Sequence, residues 1–309
     1  MPLDPLAVKF LEASAAMQPP IWQLPAHEAR ARRVLPPPGP EVGEVMDMEA
    51  AGPEGPIPVR IYWPPASEGG ADDALPALVW YHGGGWTIGS IEGADPTARR
   101  LCTMANCIVI SVEYRLAPEA PFPAAVDDAY AIAVWAAQNA PRMNIDPARI
   151  AIGGDSAGGN LAAVVCQLLR DRGGPTLAHQ LLVYPVTDGA CDTKSYEENA
   201  PYVLTPDLMG WFYDNYCSSE VDRLQPLVSP LRHANLGGLP PATVITAEYD
   251  PLRDEGMAYA DALATAGVPV EAKCYEGQIH TFFVNAHYFP AGLESVEWAA
   301  SRLREAFGT

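Results

Sequence analysis

A serine between two glycines is the first residue of this sequence that could do covalent chemistry. Residues 154–158 read Gly-Asp-Ser-Ala-Gly, with Ser156 at the centre. Residues 149–152 before it, which are apolar after Arg149, predict a strand, and residues 158–170 after it predict a helix. A tight turn between a strand and a helix exposes a nucleophilic hydroxyl, and the positive end of the helix favours developing negative charge. No Lys-Ser or Lys-Thr pair follows, which argues against a phosphate-binding loop. We therefore expect Ser156 to be a nucleophile.

A second glycine run could stabilise the negative charge that such a nucleophile creates. Residues 82–86 read His-Gly-Gly-Gly-Trp and directly follow a predicted strand. Consecutive glycines let backbone N–H groups converge on one oxygen atom. We predict that the N–H groups of Gly83, Gly84 and Ala157 form an oxyanion hole, and that the His82 ring holds the loop by hydrogen bonds.

A serine nucleophile needs a base, and four histidines follow Ser156 along the chain. His280 comes after the last predicted strand and the turn 276–278. That position lies at the carboxyl edge of the sheet, where the serine turn also opens. The other three histidines stand before a strand, in a loop and further along the chain, at His179, His233 and His287. His280 is therefore the predicted base.

The base in turn needs an acid to orient it, and carboxylates cluster after the preceding predicted strand, residues 243–247. Asp250 stands in a turn before Pro251 and is the preferred candidate. Asp254, one helical turn further, is the alternative, with a role as a helix cap or loop brace more typical of its position. Either choice follows the order serine, acid, histidine.

Two aromatic residues flank these segments and have two possible roles. Trp86 follows the glycine run and Phe282 follows His280. Each could line a substrate pocket or pack in the hydrophobic core, and the pattern alone favours neither role.

The elements that must position these residues alternate between strand and helix. Short apolar runs predict strands, first as a hairpin at 45–49 and 59–63, then at 77–81, 108–112, 150–152, 181–184, 243–247 and 270–275. Periodic patterns between and after the later strands predict helices at 96–104, 124–139, 158–170, 252–266 and 293–306. Strands that alternate with helices predict a mostly parallel sheet covered by helices on both faces.

Two further segments do not belong to this alternation. Residues 1–43 predict a helix at 5–17, capped by Asp4, and a second helical piece at 26–34 before a proline run. Residues of about 188–225 form an aromatic-rich insertion after a strand. An insertion at that end of a strand commonly builds a lid, although ordinary helices packed on the sheet are the alternative.

Five blocks of the sequence resemble one known family. They are HGGG at 82–85, YRLAPE at 114–119, GDSAGG at 154–159, DPLRDEG at 250–256 and GQIHTF at 277–282. In this order they are similar to the bacterial hormone-sensitive-lipase-like carboxylesterases of the α/β-hydrolase superfamily, over roughly residues 45–307.

The resemblance implies an α/β-hydrolase fold with a mostly parallel eight-stranded sheet. The catalytic domain would span residues 44–309, and residues 1–43 with the insertion at about 188–225 would form a helical cap. It also implies a triad of Ser156, Asp250 and His280, with an oxyanion hole from Gly83, Gly84 and Ala157. The block 114–119 would support the oxyanion loop, with Arg115 and Glu119 paired locally.

The function that follows is a serine carboxylesterase acting on short- to medium-chain acyl esters through an acyl-enzyme, with no metal or organic cofactor. The same triad could instead act on a lactone or an amide. A non-catalytic binding scaffold is a third possibility, since hormone receptors resembling this family have lost the catalytic histidine, but His280 is present here.

Composition limits the partners. A formal net charge of −19 makes nucleic-acid binding unfavourable. The six cysteines show no C-x-x-C spacing and are expected to be reduced.

No secretory signal or membrane span is evident, so a cytoplasmic location is expected by default. The predicted strand 270–275 is a candidate edge for pairing with a second subunit, so a homodimer is possible.

Overall fold

A computed structural model describes residues 2–65 and 74–309 of the chain. One sheet of eight strands forms its centre, in the spatial order β1-β2-β4-β3-β5-β6-β7-β8. Its strands are β1 (Glu44–Gly52), β2 (Gly55–Trp63), β3 (Leu75–Tyr81), β4 (Ile108–Val112), β5 (Ile145–Asp155), β6 (His179–Val183), β7 (Ala242–Tyr249) and β8 (Val270–Ile279).

The sheet is antiparallel at one side and parallel elsewhere. β1 and β2 form a hairpin whose register pairs Gly52 with Gly55, and β2 pairs antiparallel with β4. The remaining neighbours all pair in parallel. Parallel strands place their carboxyl ends at the same edge, so β5, β7 and β8 all end on one side of the molecule.

Helices cover both faces of the sheet. The helices are α1 (Pro5–Ala15), α2 (Ala26–Ala31), α3 (Ile91–Ala105), α4 (Ala124–Asn139), α5 (Ala157–Asp171), α6 (Lys194–Glu198), α7 (Pro206–Tyr216), α8 (Glu220–Arg223), α9 (Arg253–Thr265) and α10 (Pro290–Phe307). Short 3-10 turns occur at Ile21–Gln23, Ala140–Met143 and Pro230–Arg232.

Strand β4 shows why the sequence of a central strand is a continuous run of apolar residues. All five of its residues are buried. Ile108 and Ile110 belong to the core on the side of α4, α5 and α9, whereas Val109 belongs to the core under α3 and α10. A strand buried on both faces has no polar alternation, and this is the signal that the sequence carried.

The predicted elements are present, with shifted ends. Helix α1 begins at Pro5 as predicted, where the Asp4 carboxylate accepts the Leu6 N–H at 2.7 Å, but it ends at Ala15. Helix α2 ends at Ala31, short of the predicted residue 34. Strand β5 starts earlier than predicted, and β8 continues to Ile279.

The two segments outside the alternation also meet in space. Helices α6, α7 and α8 lie between β6 and β7, and α7 contacts the 3-10 turn Ile21–Gln23 of the N-terminal segment. Among the helices of the described residues, none is long and apolar enough to cross a bilayer.

All six cysteines fall within the described part of the chain and are free. Cys191 and Cys274 are half-buried, and the other four are buried. Five of these thiols, all except that of Cys274, lie in or against the core, as expected for small apolar side chains.

Candidate active site

Ser156 occupies a strained turn between β5 and α5. Its backbone has φ 55° and ψ −118°, a region that costs a non-glycine residue roughly 1–3 kcal/mol. The Ser156 N–H donates to the Val183 carbonyl of β6 at 2.9 Å, which holds the turn in place. The flanking glycines are needed for space. A Cβ atom added to Gly154 would lie 2.4 Å from the Gly158 carbonyl carbon, and one added to Gly158 would lie 2.0 Å from the Tyr81 carbonyl oxygen.

His280 lies between Ser156 and Asp250. Its Nε2 atom is 3.1 Å from Ser156 Oγ, and its Nδ1 atom is 2.7 Å from Asp250 Oδ2. An ionised carboxylate can only accept a hydrogen bond, so the Asp250 contact keeps a proton on Nδ1, which donates it to Oδ2. Nε2 is then left without a proton and can accept that of the serine hydroxyl. Asp250 follows β7 directly and His280 follows β8 directly, so neighbouring strand ends bring them together. All three side chains are buried.

The alternative acid, Asp254, has different partners. Its carboxylate accepts the Ser195 N–H at 2.8 Å and the Arg253 Nε–H at 2.8 Å. Ser195 belongs to α6, so Asp254 braces the inserted segment against α9. The histidine Nδ1 contact is made by Asp250, whose other oxygen accepts the Leu252 N–H at 2.9 Å.

The glycine run differs from the prediction at one position. The Gly83 N–H donates to Asp155 Oδ1 at 3.0 Å, so it is already paired and is not a free oxyanion donor. Within the described residues, the N–H groups of Gly84 and Gly85 form no hydrogen bond. Ala157 is the first residue of α5, and its N–H has no partner inside the helix. The free donors are therefore shifted by one glycine, to Gly84, Gly85 and Ala157.

The Asp155 carboxyl, inside the serine motif itself, is the residue that sequence reasoning missed. Burial raises its pKa to about 6, while the Gly83 hydrogen bond opposes that change. A polar residue between a buried strand and the serine was the available signal. Its partner, however, lies 72 positions away in sequence.

The ring of His82 holds the loop, as predicted. His82 Nδ1 is 2.8 Å from the Gly83 carbonyl oxygen, and the ring stacks on Tyr114 with centroids 4.3 Å apart. The Tyr114 hydroxyl donates to the His82 carbonyl at 2.7 Å. Burial lowers the pKa of His82 to about 4, so the ring is neutral at physiological pH.

The predicted local pair of Arg115 with Glu119 is wrong. Arg115 binds Asp128 through both its Nε and Nη2 atoms and also contacts Glu54. Glu119 instead binds Arg30 of α2 at 2.7 Å. Closeness in sequence suggested the pair, but the two side chains leave the loop in different directions.

Arg30 connects residues 1–43, the N-terminal segment, to the glycine run at residues 82–86, which we call the glycine loop. Besides Glu119, it donates from Nε to the Thr87 carbonyl at 2.7 Å and from Nη2 to the Ala117 carbonyl at 2.6 Å. Thr87 lies in the turn that follows the glycines, where its own N–H donates to Gly84. Helix α2 is thus tied to the backbone that presents the free N–H groups.

A cavity of about 620 Å³ lies between the glycine loop and the N-terminal segment. Gly83, Gly84 and Asp155 line one part of it, and residues from 17 to 37 line another. Its remaining wall is mostly apolar. Among the described residues, no group of three or more His, Cys, Asp and Glu side chains is arranged to hold a metal ion.

Trp86 and Phe282 do not line this cavity. Trp86 is fully buried and stacks on Tyr216, with ring centroids 4.2 Å apart. Phe282 is also fully buried, and it packs against Tyr184 and Tyr275. The core role is therefore the one that the structure supports for both residues.

Comparison with known proteins places this geometry among ester hydrolases. A family model described as the α/β hydrolase fold matches residues 78–284. Carboxylesterase NlhH of Mycobacterium tuberculosis is 44% identical over 255 residues, covering 81% of this chain and 78% of the relative. The carboxylic ester hydrolase LipN of the same organism is 46% identical over 263 residues, covering 82% of this chain and 68% of the relative. The hyperthermophilic esterase from the archaeon Pyrobaculum calidifontis has a similar structure, with a TM-score of 0.91 at 40% identity and 99% coverage of both chains.

Proposed function

The chain belongs to the hormone-sensitive-lipase-like carboxylesterases of the α/β-hydrolase superfamily, and on this premise we propose that it hydrolyses short- to medium-chain acyl esters through Ser156, His280 and Asp250. That it is a carboxylic-ester hydrolase follows from its relatives.

One observation carries the assignment of the triad: a continuous hydrogen-bonded line from Ser156 Oγ through His280 to Asp250, at 3.1 and 2.7 Å. His280 Nε2 takes the proton of Ser156 as Oγ attacks the ester carbonyl carbon. The C–O bond of the ester then breaks, and the alcohol leaves with the proton from Nε2. Water repeats the sequence on the acyl-enzyme and releases the acid, while Asp250 keeps the proton on Nδ1.

The oxyanion formed in each half of the reaction binds to the N–H groups of Gly84, Gly85 and Ala157. These are the donors that remain free once Asp155 has engaged Gly83. Loss of one such donor typically costs a factor of roughly 10²–10³ in kcat. In this assignment, Gly83 fixes the loop and takes no part in binding the oxyanion.

Residues 1–43 and about 188–225 together form the cap, and residues 44–309 carry the catalytic domain. The contact of α7 with the turn Ile21–Gln23 supports a joint cap, as does the part of the N-terminal segment that lines the cavity. A cavity of about 620 Å³ under such a cap supports a preference for short and medium acyl chains.

The triad is tested with Ser156→Ala. We expect hydrolysis of p-nitrophenyl butyrate to fall to the level of the solvent reaction, with an unchanged circular dichroism spectrum. Ser218→Ala, at an exposed serine, is the matched control and should keep wild-type activity. Full activity in Ser156→Ala would contradict the assignment.

The acyl preference is tested with p-nitrophenyl esters from acetate to palmitate. We expect kcat/KM to be highest among the short and medium chains. A clear preference for palmitate over butyrate would contradict the proposed chain-length range while leaving the triad intact.

The assembly is a homodimer in which β8 pairs with its copy. Strand β8 lies at the edge of the sheet, so one side of its backbone has no neighbouring strand among the described residues. Sedimentation equilibrium at several concentrations tests this proposal. A mass that stays at that of one chain throughout would contradict it.

A further inference from the structure

The charge of the cavity wall is opposite to that of the molecule. The chain has 38 acidic and 19 basic residues. Among the described residues that line the cavity, however, the arginines are Arg32 and Arg33, and the one carboxylate is Asp155. A cavity that only had to accept a neutral acyl chain would gain nothing from two guanidinium groups in its wall.

Neither arginine forms an ion pair with a carboxylate in the described part of the chain. Arg32 donates from Nη1 to the backbone carbonyls of Gln18 and Pro19, at 3.3 and 3.0 Å. Arg33 donates from Nη1 to the Ser90 hydroxyl at 2.9 Å. These contacts are to neutral groups, so the positive charges are not compensated by direct contact. Arg30 differs from both of them, because its guanidinium group forms an ion pair with the Glu119 carboxylate.

The guanidinium of Arg33 is partly buried beside a helix N-terminus, and no carboxylate contacts it among the described residues. Its guanidinium lies against the first turn of α3, where an added Cβ on Gly93 would be 1.3 Å from Nη2. That end of a helix carries partial positive charge. Burial lowers the pKa of Arg33, and the nearby acids Glu113, Glu92 and Asp155 oppose this only through space. Glu113 already accepts the Ile91 N–H at 2.6 Å.

We propose that the cavity binds esters that carry a carboxylate at the end remote from the scissile bond, and that Arg32 and Arg33 recognise that carboxylate. The inference rests on the proposed function. An ester whose carbonyl lies at the glycine loop extends one of its halves into the cavity, toward residues 32–37. A guanidinium matches a carboxylate in shape and charge, and a partly desolvated one forms the stronger hydrogen bonds. The substrate class is therefore the monoester of a dicarboxylic acid, or the acyl ester of a hydroxy acid.

The experiment compares matched pairs of esters. Methyl hydrogen adipate and its neutral primary amide, methyl adipamate, carry the test group on the acyl side. 5-Acetoxypentanoate and 5-acetoxypentanamide carry it on the alcohol side. The measured quantity is kcat/KM for the anion divided by that for the amide, in the wild type and in Arg32→Gln, Arg33→Gln and the double variant. Arg142→Gln is the control, because this exposed arginine precedes β5 and lies at the opposite edge of the sheet from Ser156.

We expect the anion-to-amide ratio to fall by about tenfold or more in the double variant on one of the two sides, with kcat/KM for the amide little changed. The side that responds identifies which half of the ester enters the cavity. Arg32→Gln alone should show part of the effect, and it removes only contacts with backbone carbonyls, so it keeps the test decisive if the double variant does not fold.

An anion-to-amide ratio that is unchanged in all three variants would overturn the inference, and so would an equal fall in Arg142→Gln. In either case, continued hydrolysis of methyl adipamate or 5-acetoxypentanamide would still support the proposed function. If the wild type hydrolysed none of the four esters and no p-nitrophenyl ester, the proposed function would fail first and the inference with it.

Discussion

Glu255 is a buried carboxyl group outside the triad whose surroundings shift its pKa strongly. It lies in α9 and accepts the N–H groups of Thr187 and Asp188, at 2.6 and 3.2 Å. Burial raises its pKa from 4.5 to about 8. The Thr187 hydroxyl also donates to the Glu255 carbonyl at 2.7 Å, so this one residue joins α9 to the start of the inserted segment.

The shifted pKa predicts a loss of stability as the pH rises. Between pH 4.5 and about 8 the folded protein keeps the Glu255 proton, whereas the unfolded chain has lost it. The free energy of unfolding should therefore fall across this window, by at most about 1.4 kcal/mol per pH unit, and level off above it. In Glu255→Gln the contribution of Glu255 to this slope should be absent, so the difference in the free energy of unfolding between the wild type and the variant should change across the window. Urea denaturation from about pH 5 to about pH 9 measures the difference, with Glu276→Gln as an exposed control. Parallel pH profiles for the wild type and Glu255→Gln would contradict the prediction.

Among the residues of the active site, the triad could be predicted from the sequence, but the oxyanion donors could not. Ser156, Asp250 and His280 could be chosen because each follows a predicted strand at the same edge of the sheet. The oxyanion donors could not be chosen correctly, because three glycines in a row look alike. The choice depends on Asp155, which reaches Gly83 from another strand. Nothing in the sequence marks the contact between Asp155 and Gly83, which are 72 positions apart.

Close packing between elements decides how a helix tolerates an added methyl group. Gly158 in α5 lies against the backbone of β3, and Gly210 in α7 has no atom within 4 Å of an added Cβ. Gly158→Ala should lower the free energy of unfolding by about 3 kcal/mol or more, because the Tyr81 carbonyl cannot move aside. Gly210→Ala should raise it by about 0.5–1 kcal/mol, since alanine is the better helix former. Urea denaturation of both variants is the measurement. Similar effects of the two substitutions would contradict the packing argument.

The contact between α2 and the glycine loop leads to a second prediction about how the elements support one another. Arg30→Met removes the contacts with Thr87, Ala117 and Glu119. We expect kcat/KM for p-nitrophenyl butyrate to fall by about tenfold, because charge-assisted hydrogen bonds that hold the loop are lost. Cleavage of the N-terminal segment by subtilisin should become faster. Lys9→Met, at an exposed position of α1, should change neither quantity. Unchanged kinetics and unchanged cleavage in Arg30→Met would show that the segment does not support the loop.

The elements themselves were largely predictable. Strands such as β4 are continuous apolar runs, and α1 carries its own capping residue, so both are encoded locally. The ion pairs between elements were not predictable. Arg115 was expected to bind its neighbour Glu119, but it binds Asp128, while Glu119 binds Arg30. Local patterns fix the elements, whereas the partners of charged side chains are set by how the elements pack.

The whole molecule carries a net charge of −19, and its folded form brings those charges close together. Repulsion between them should lower its stability at low ionic strength. Adding NaCl to several hundred millimolar should therefore raise the free energy of unfolding, by an amount on the order of 1 kcal/mol, and KCl should act equally. Urea denaturation in each salt measures this. A midpoint that is independent of salt would mean that the acidic groups are already compensated by the ion pairs of the surface.

The state of the cysteines has a practical consequence for following motion in this protein. Burial raises the pKa of Cys102, Cys191 and Cys217 to about 12, and it raises that of the other three thiols as well. Thiolates, which react with maleimides, are therefore scarce near neutral pH. A single cysteine introduced at Val34, which is 83% exposed on the cavity wall, would carry a fluorescent label almost alone. We therefore expect the six native thiols to react slowly enough that the wild-type chain can serve as the background for time-resolved measurements of the N-terminal segment as substrate enters and product leaves.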